Sequence, residues 1–175
     1  MLDAALTYAA LGWPVAPAIP RFAAVTAQAT TNHSAIERWW TRNPNAGIVL
    51  ATGGPVDVLN VPARVGRAAL DRLRCTGLAV GPVAVTRGRC YFLVAGRDRD
   101  RFLTHHEQLG APQLDIHYHG ADDGILLPPS SDGTNSVYWE LDPAASILAC
   151  GHRLPTAAEL HGTIAYVALQ IALPV

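Results

Sequence analysis

Val56-Asp57-Val58-Leu59-Asn60-Val61-Pro62 is the stretch on which the reading of this chain turns. A short, nearly unbroken apolar run of this length reads as a buried strand, here running out to an edge. Asp57 stands three residues before Asn60, so on a regular strand the two side chains point to opposite faces. Outward from this strand the pattern alternates between helix and strand. Leu2, Ala5, Leu6, Ala9 and Ala10 fall at helical spacing, and Gly12 stops that helix. Residues 13–19 read as a strand, with Pro14 and Pro17 favouring an edge or irregular course. A loop is expected over residues 20–32. Ser34-Ala35-Ile36-Glu37 has the form of a capping box, opening a helix that carries Ile36, Trp39 and Trp40 and ends before Pro44.

Further strands are expected at residues 47–51, 82–86, 90–95, 113–119, 124–127 and 137–141. Helices are expected at 64–73 and 99–109, the second polar enough that His105-His106 should face solvent. Thr156-Ala157-Ala158-Glu159 is a second capping box, and Leu160, Ile164, Val167, Ala168 and Ile171 line one face of a final helix over about 156–172. No internal repeat or linker interrupts the chain. One domain spanning residues 1–175 is expected. Its class is α+β: a mixed or antiparallel sheet with flanking helices.

Composition narrows the function. Half of the 175 residues are hydrophobic and 15% are charged, which fits a compact globule. The 13 basic residues, all arginine, nearly balance 14 acidic ones for a net charge of −1. Phosphate neutralisation supplies much of the affinity for nucleic acid, so weak nucleic-acid binding at most is expected. Arg64, Arg67, Arg72, Arg74, Arg87 and Arg89 form a local basic set, expected to be a solvated face. Cys75, Cys90 and Cys150 have neither disulfide nor metal spacing. An odd count and no leader pattern fit a reducing cytoplasm. No apolar run is long enough to span a membrane. Abundant alanine and arginine with no lysine point to a GC-rich genome of actinobacterial type.

Five segments stand in a telling order: Gly12-Trp13-Pro14-Val15, Ile36-Glu37-Arg38-Trp39-Trp40, Thr52-Gly53-Gly54, the strand Val56-Asp57-Val58-Leu59-Asn60-Val61-Pro62, and Leu127-Pro128-Pro129-Ser130. In that order they resemble the N-terminal domain of bifunctional DNA primase/polymerases, the prim-pol family of the archaeo-eukaryotic primase superfamily, over about residues 4–141. The resemblance implies an Asp-x-Asp pair at the end of the strand that begins at Val56. It also implies a nucleotide-holding histidine after a glycine-rich turn, and a last carboxylate. These map onto Asn60 and Pro62, Cys90, and Asp115. Only Asp115 keeps its chemistry: Asn60 offers a neutral carbonyl and Pro62 no ligand, where two magnesium ions need hard anionic oxygens. The family's Lys-x-Pro segment after the first strand has no lysine here, and Arg21 is the nearest cation.

The first reading is therefore a catalytically degenerate prim-pol-like domain. It would act as a binding or regulatory module for a protein partner or a nucleotide. Gly53, Gly54 and Gly88 could present amides to phosphate, with Arg87 and Arg89 beside them. A second reading is an active primase/polymerase using magnesium or manganese on relocated ligands, Asp57, Asp115, Asp122 and Asp123. A third is a zinc or other transition-metal domain: Asp115, His117 and His119 stand at i, i+2 and i+4, one face of a strand, with Cys90 close by.

Overall fold

The structure, a computed structural model, describes residues 1–18, 26–108, 113–131 and 135–172. Six helices and eight strands alternate among these residues: α1 (Leu2–Ala10), β1 (Val15–Pro17), α2 (His33–Arg42), β2 (Ile48–Ala51), β3 (Val56–Pro62), α3 (Ala63–Thr76), β4 (Val83–Val85), β5 (Arg89–Ala95), α4 (Arg99–Gln108), β6 (His117–His119), β7 (Gly124–Leu127), β8 (Tyr138–Leu141), α5 (Pro143–Ala149) and α6 (Ala157–Ala172). The strands form two sheets, ordered β6-β3-β5-β4-β8 and β1-β2-β7, and every ladder is antiparallel. This is the expected α+β class.

The strand beginning at Val56 lies inside the larger sheet, and its side chains feed two cores. Leu59 and Val61 point to one face, where Phe92 and Val94 of β5 meet Leu70 and Leu73 of α3 and Leu160 and Ile164 of α6. Val56 and Val58 point to the other face. There they meet Ile48 and Leu50 of β2, Ile125 and Leu127 of β7, Ala5 and Tyr8 of α1, and Ile36 and Trp40 of α2. A strand buried on both faces needs a near-continuous apolar sequence, which is what residues 56–62 supply.

The family-like segments form the seam around the smaller sheet. Gly12, at φ +78°, ends α1 and turns the chain so that Trp13 stacks on Tyr8, with ring centres 5.8 Å apart. The Tyr8 hydroxyl donates to the carbonyl of Pro128 (2.6 Å) and accepts from Trp139 Nε1 (3.0 Å). Ser130 is fully buried, and its Oγ accepts from the Ile48 amide at 2.7 Å. Trp40 is buried and donates to the Ala46 carbonyl at 2.9 Å.

Several expectations need correcting. Helix α2 begins before Ser34, because Asn32 is the cap: its Oδ1 accepts from the Ala35 amide at 3.0 Å. The strand expected over 113–119 forms only at His117–His119. Helix α5 was not foreseen, although Asp142 caps it and Pro143 opens it, a standard start signal. His106 is 9% exposed rather than facing solvent. Arg21 lies outside the described residues. The second capping box forms as expected. The Glu159 carboxylate accepts from the Thr156 amide (2.6 Å), and Thr156 Oγ1 accepts from the Glu159 amide (3.3 Å).

Candidate functional site

Register decides which side chains share a cleft. β3 and β5 pair Asn60 with Tyr91, Val61 with Cys90 and Pro62 with Arg89. Directly paired residues point the same way and neighbours alternate, so Asn60, Pro62, Arg89 and Tyr91 share one face while Val61 and Cys90 share the other. β6 adds His117 opposite Asn60 and His119 opposite Val58, on the Asn60 face. Asn60, Thr86, Tyr91 and His119 then line a cleft of about 200 Å³ against Gly124, Ile125 and Leu126 of β7.

A polar network spans this cleft from side to side. Arg89 Nε donates to Asn60 Oδ1 (2.6 Å), and its terminal nitrogens donate to Asp115 Oδ2 (2.7 Å) and the Asn60 carbonyl (3.2 Å). Because Asn60 Oδ1 accepts from Arg89, its amide nitrogen is left to donate to His119 Nε2, 2.9 Å away. His119 Nδ1 in turn donates to Asp123 Oδ2 at 2.7 Å, which leaves Nε2 toward Asn60. His117 Nε2 closes the other end on Asp115 Oδ1 at 2.8 Å. The chain runs Asp123, His119, Asn60, Arg89, Asp115, His117. Hydrogen bonding from Arg89 holds the Asp115 carboxyl below its ordinary range, against a smaller opposing effect of burial.

The donor set does not fit a pair of magnesium ions. The Asn60 carbonyl is taken by Arg89, Pro62 starts α3 without a ligand atom, and the remaining carboxylate is already matched to a guanidinium. Nor does the set fit zinc. His119 has both ring nitrogens engaged away from Asp115, so it does not converge with His117. Among the described residues no three His, Cys, Asp or Glu side chains stand close enough together to hold a metal ion.

Cys90 does not share the cleft. It is buried in the helix-side core, its Sγ against the Ala63 carbonyl, and burial pushes its thiol up to about 11. The reason is Gly66: a Cβ there would lie 2.3 Å from Cys90 Cβ, so α3 and β5 touch where only small groups fit. The residue facing the cleft is Arg89. The register places Arg89 and Tyr91, not Cys90, on the face of Asn60 and Pro62. Gly53 and Gly54 sit at the opposite end of β3, roughly 20 Å of strand away. There the Gly53 amide donates to Asp57 Oδ1 at 2.7 Å and its φ is +91°, so it serves the turn. Asp57 is buried and also accepts from the Arg97 amide and the Tyr118 hydroxyl. Asp122 is exposed in the turn before β7. Of the four acidic candidates, Asp57 is buried at the far end of β3 and Asp122 is exposed, while Asp115 and Asp123 belong to the cleft network on either side of Asn60. Arg64, Arg67, Arg72, Arg74 and Arg87 are exposed, outside the cleft.

Two antiparallel sheets share a core with α1 and α2, α3 and α6 cover the other face of the larger sheet, and a polar cleft lies at the end of β3. The family model of the bifunctional DNA primase/polymerase N-terminal domain matches residues 5–157, and the chain belongs to that family. No curated protein matches the chain. Among the described residues no helix is long and apolar enough to cross a membrane.

Proposed function

We propose that this domain is a catalytically inert member of its family, retained as a binding or regulatory module for a protein partner or a nucleotide. One observation carries the reading. The Arg89 guanidinium lies between Asn60 and Asp115, two positions that correspond to the family's metal-binding carboxylates. A divalent ion entering there meets a fixed positive charge and a single carboxylate already neutralised by it. An arginine cannot lose its charge to make room. Each member of the network already has a hydrogen-bond partner within it.

The test is primer synthesis and primer extension on a DNA template with magnesium, then with manganese. No incorporation is expected with either. Thermal stability should also be unmoved by millimolar amounts of either ion, since an ion bound to the folded state would raise it. Template-dependent incorporation that disappears on Asp115→Ala would sink the proposal and return the active-enzyme reading.

A further inference from the structure

Away from the cleft, three imidazoles form a chain across two helices. His106 Nδ1 lies 2.9 Å from His161 Nε2, and His161 Nδ1 lies 3.1 Å from His105 Nδ1. His161 is 0% exposed and His106 9%. Each neutral imidazole has one donor and one acceptor, so the two hydrogen bonds can be made in a single direction along the chain with no ring charged. Phe102 completes the box: its ring stacks on His106 (5.5 Å between centres) and meets His161 edge-on (4.8 Å).

We infer that His105, His161 and His106 form a proton-released latch that seats helix α4 on helix α6 at neutral pH and frees it in mild acid.

The geometry makes the trio intolerant of protons. A proton on His161 lets both its nitrogens donate, but leaves a cation in an apolar box. A second proton sets two donors against each other and breaks the chain. Among the described residues no carboxylate hydrogen-bonds to the trio to compensate. Several of the charged and titratable groups on the neighbouring elements have partners of their own. On α4, Glu107 is the one group that favours the charged form of His106, and Arg101 beside His105 is itself positive. On α6, Glu159 is bound to Arg153 and the Thr156 cap. On α3, Arg72 lies over the Tyr166 ring, 4.4 Å from its centre. On β6, Tyr118 gives its hydroxyl proton to Asp57. Burial accordingly pushes His161 down to about 4, with the two neighbouring histidines adding to it, and lowers His106 as well.

The seat of α4 is narrow. Phe102 and His106 are its buried residues, and the other positions are half-buried or exposed. Release also has a reach. Phe102 packs on Tyr118 at 5.0 Å, and Tyr118 sits in β6 between His117 and His119 of the cleft network. Lifting α4 therefore removes the ring that braces the strand supplying the cleft's two histidines.

The trio is not arranged as a metal site. His161 directs its two nitrogens to opposite neighbours, so no single point is shared by one nitrogen from each ring.

Hydrogen–deuterium exchange of the full chain at pH 7.5 and pH 5.5, corrected for intrinsic rates, reads the latch directly. The opening equilibrium of residues 99–108 should grow about tenfold at the lower pH, the factor set by one pH unit below an ordinary imidazole value. Residues 48–51 and 56–62 should stay far more protected than α4 at both pH values. In His161→Leu, which keeps the box apolar, the pH dependence of α4 should vanish. If that variant does not fold, NMR titration of the wild-type imidazoles decides: His161 should stay neutral until α4 opens. Unchanged α4 protection between the two pH values would overturn the latch. So would a His161 that charges near 6.5 with α4 still seated. Stoichiometric zinc binding lost in His161→Leu would replace it with a metal site.

Discussion

Arg89 and Cys90 are neighbours with opposite surroundings, because a strand sends successive side chains to opposite faces. One enters the polar cleft and binds Asn60 and Asp115; the other enters the core and abuts Gly66. A residue-by-residue match to the family's histidine selects Cys90, one place out of step with the pleat. The contact at Gly66 gives this a direct test. Cys90→His would force an imidazole into space already filled by Gly66 and the Ala63 carbonyl. Overpacking of this kind costs about 1–3 kcal/mol, and an unpartnered ring nitrogen adds to it. Urea unfolding should show a loss of at least that size. An unchanged midpoint would mean that position 90 opens to the cleft after all. What sequence could not give at this scale was pairing. Asn60 reads as a lost ligand on its own, but its bonds to Arg89 and His119 depend on β5 and β6 arriving on either side of it.

Elements were more legible than contacts where one physical signal dominated. Continuous apolar runs gave β2, β3 and β5 nearly to the residue, and the Thr156–Glu159 capping box marked the start of α6. The failures came where two signals competed. Asn32 and Ser34 are both good caps, and the earlier one wins by reaching the Ala35 amide. Helix α4 is polar along most of its length, which made His106 look exposed, yet a helix resting on another buries one stripe however polar its sequence. That stripe makes stability depend on pH. His161 is an ordinary imidazole in the unfolded chain and is pushed down to about 4 in the folded one, so between these values the unfolded state binds more protons. Stability is then full above about pH 6.5, falls by about 1.4 kcal/mol per pH unit as pH drops toward 4, and levels off below. Chemical denaturation at stepped pH should show this slope in the wild type and lose it in His161→Leu. On the other face, Trp40 anchors α2 to the smaller sheet with its ring buried and its Nε1 bonded to Ala46. Trp40→Ala should cost about 3–5 kcal/mol. A loss below about 1 kcal/mol would show that α2 is held by other contacts.

At the scale of the molecule, the segments that resemble the family lie among the residues that join the two sheets. Trp13, Trp40, Pro128 and Ser130 are packed or hydrogen-bonded within the scaffold, apart from Asn60, Pro62 and Arg89 at the cleft end of β3. This separation is why the family was readable from sequence while the state of its cleft was not. It also bears on nucleic acid. Arg89 in the cleft is bound to Asp115, so its charge is matched before any phosphate arrives. The remaining candidates near the cleft end of β3 are Arg64 and Arg67 on α3 and Arg87 in the turn before β5, all exposed. Three arginines can neutralise about three phosphates, which sets a salt slope of about −3 on duplex DNA and an affinity in the non-specific range, about 10⁻⁴–10⁻⁶ M at physiological salt. Fluorescence anisotropy on duplexes of unrelated sequence should give equal, weak binding that fades between 50 and 200 mM salt. Arg64→Ala with Arg87→Ala should lower the slope by about 2 for every sequence alike. Binding tighter than this at physiological salt, or a preference for one sequence, would mean that surfaces beyond these arginines contact DNA, and that the domain is a nucleic-acid reader despite its balanced charge.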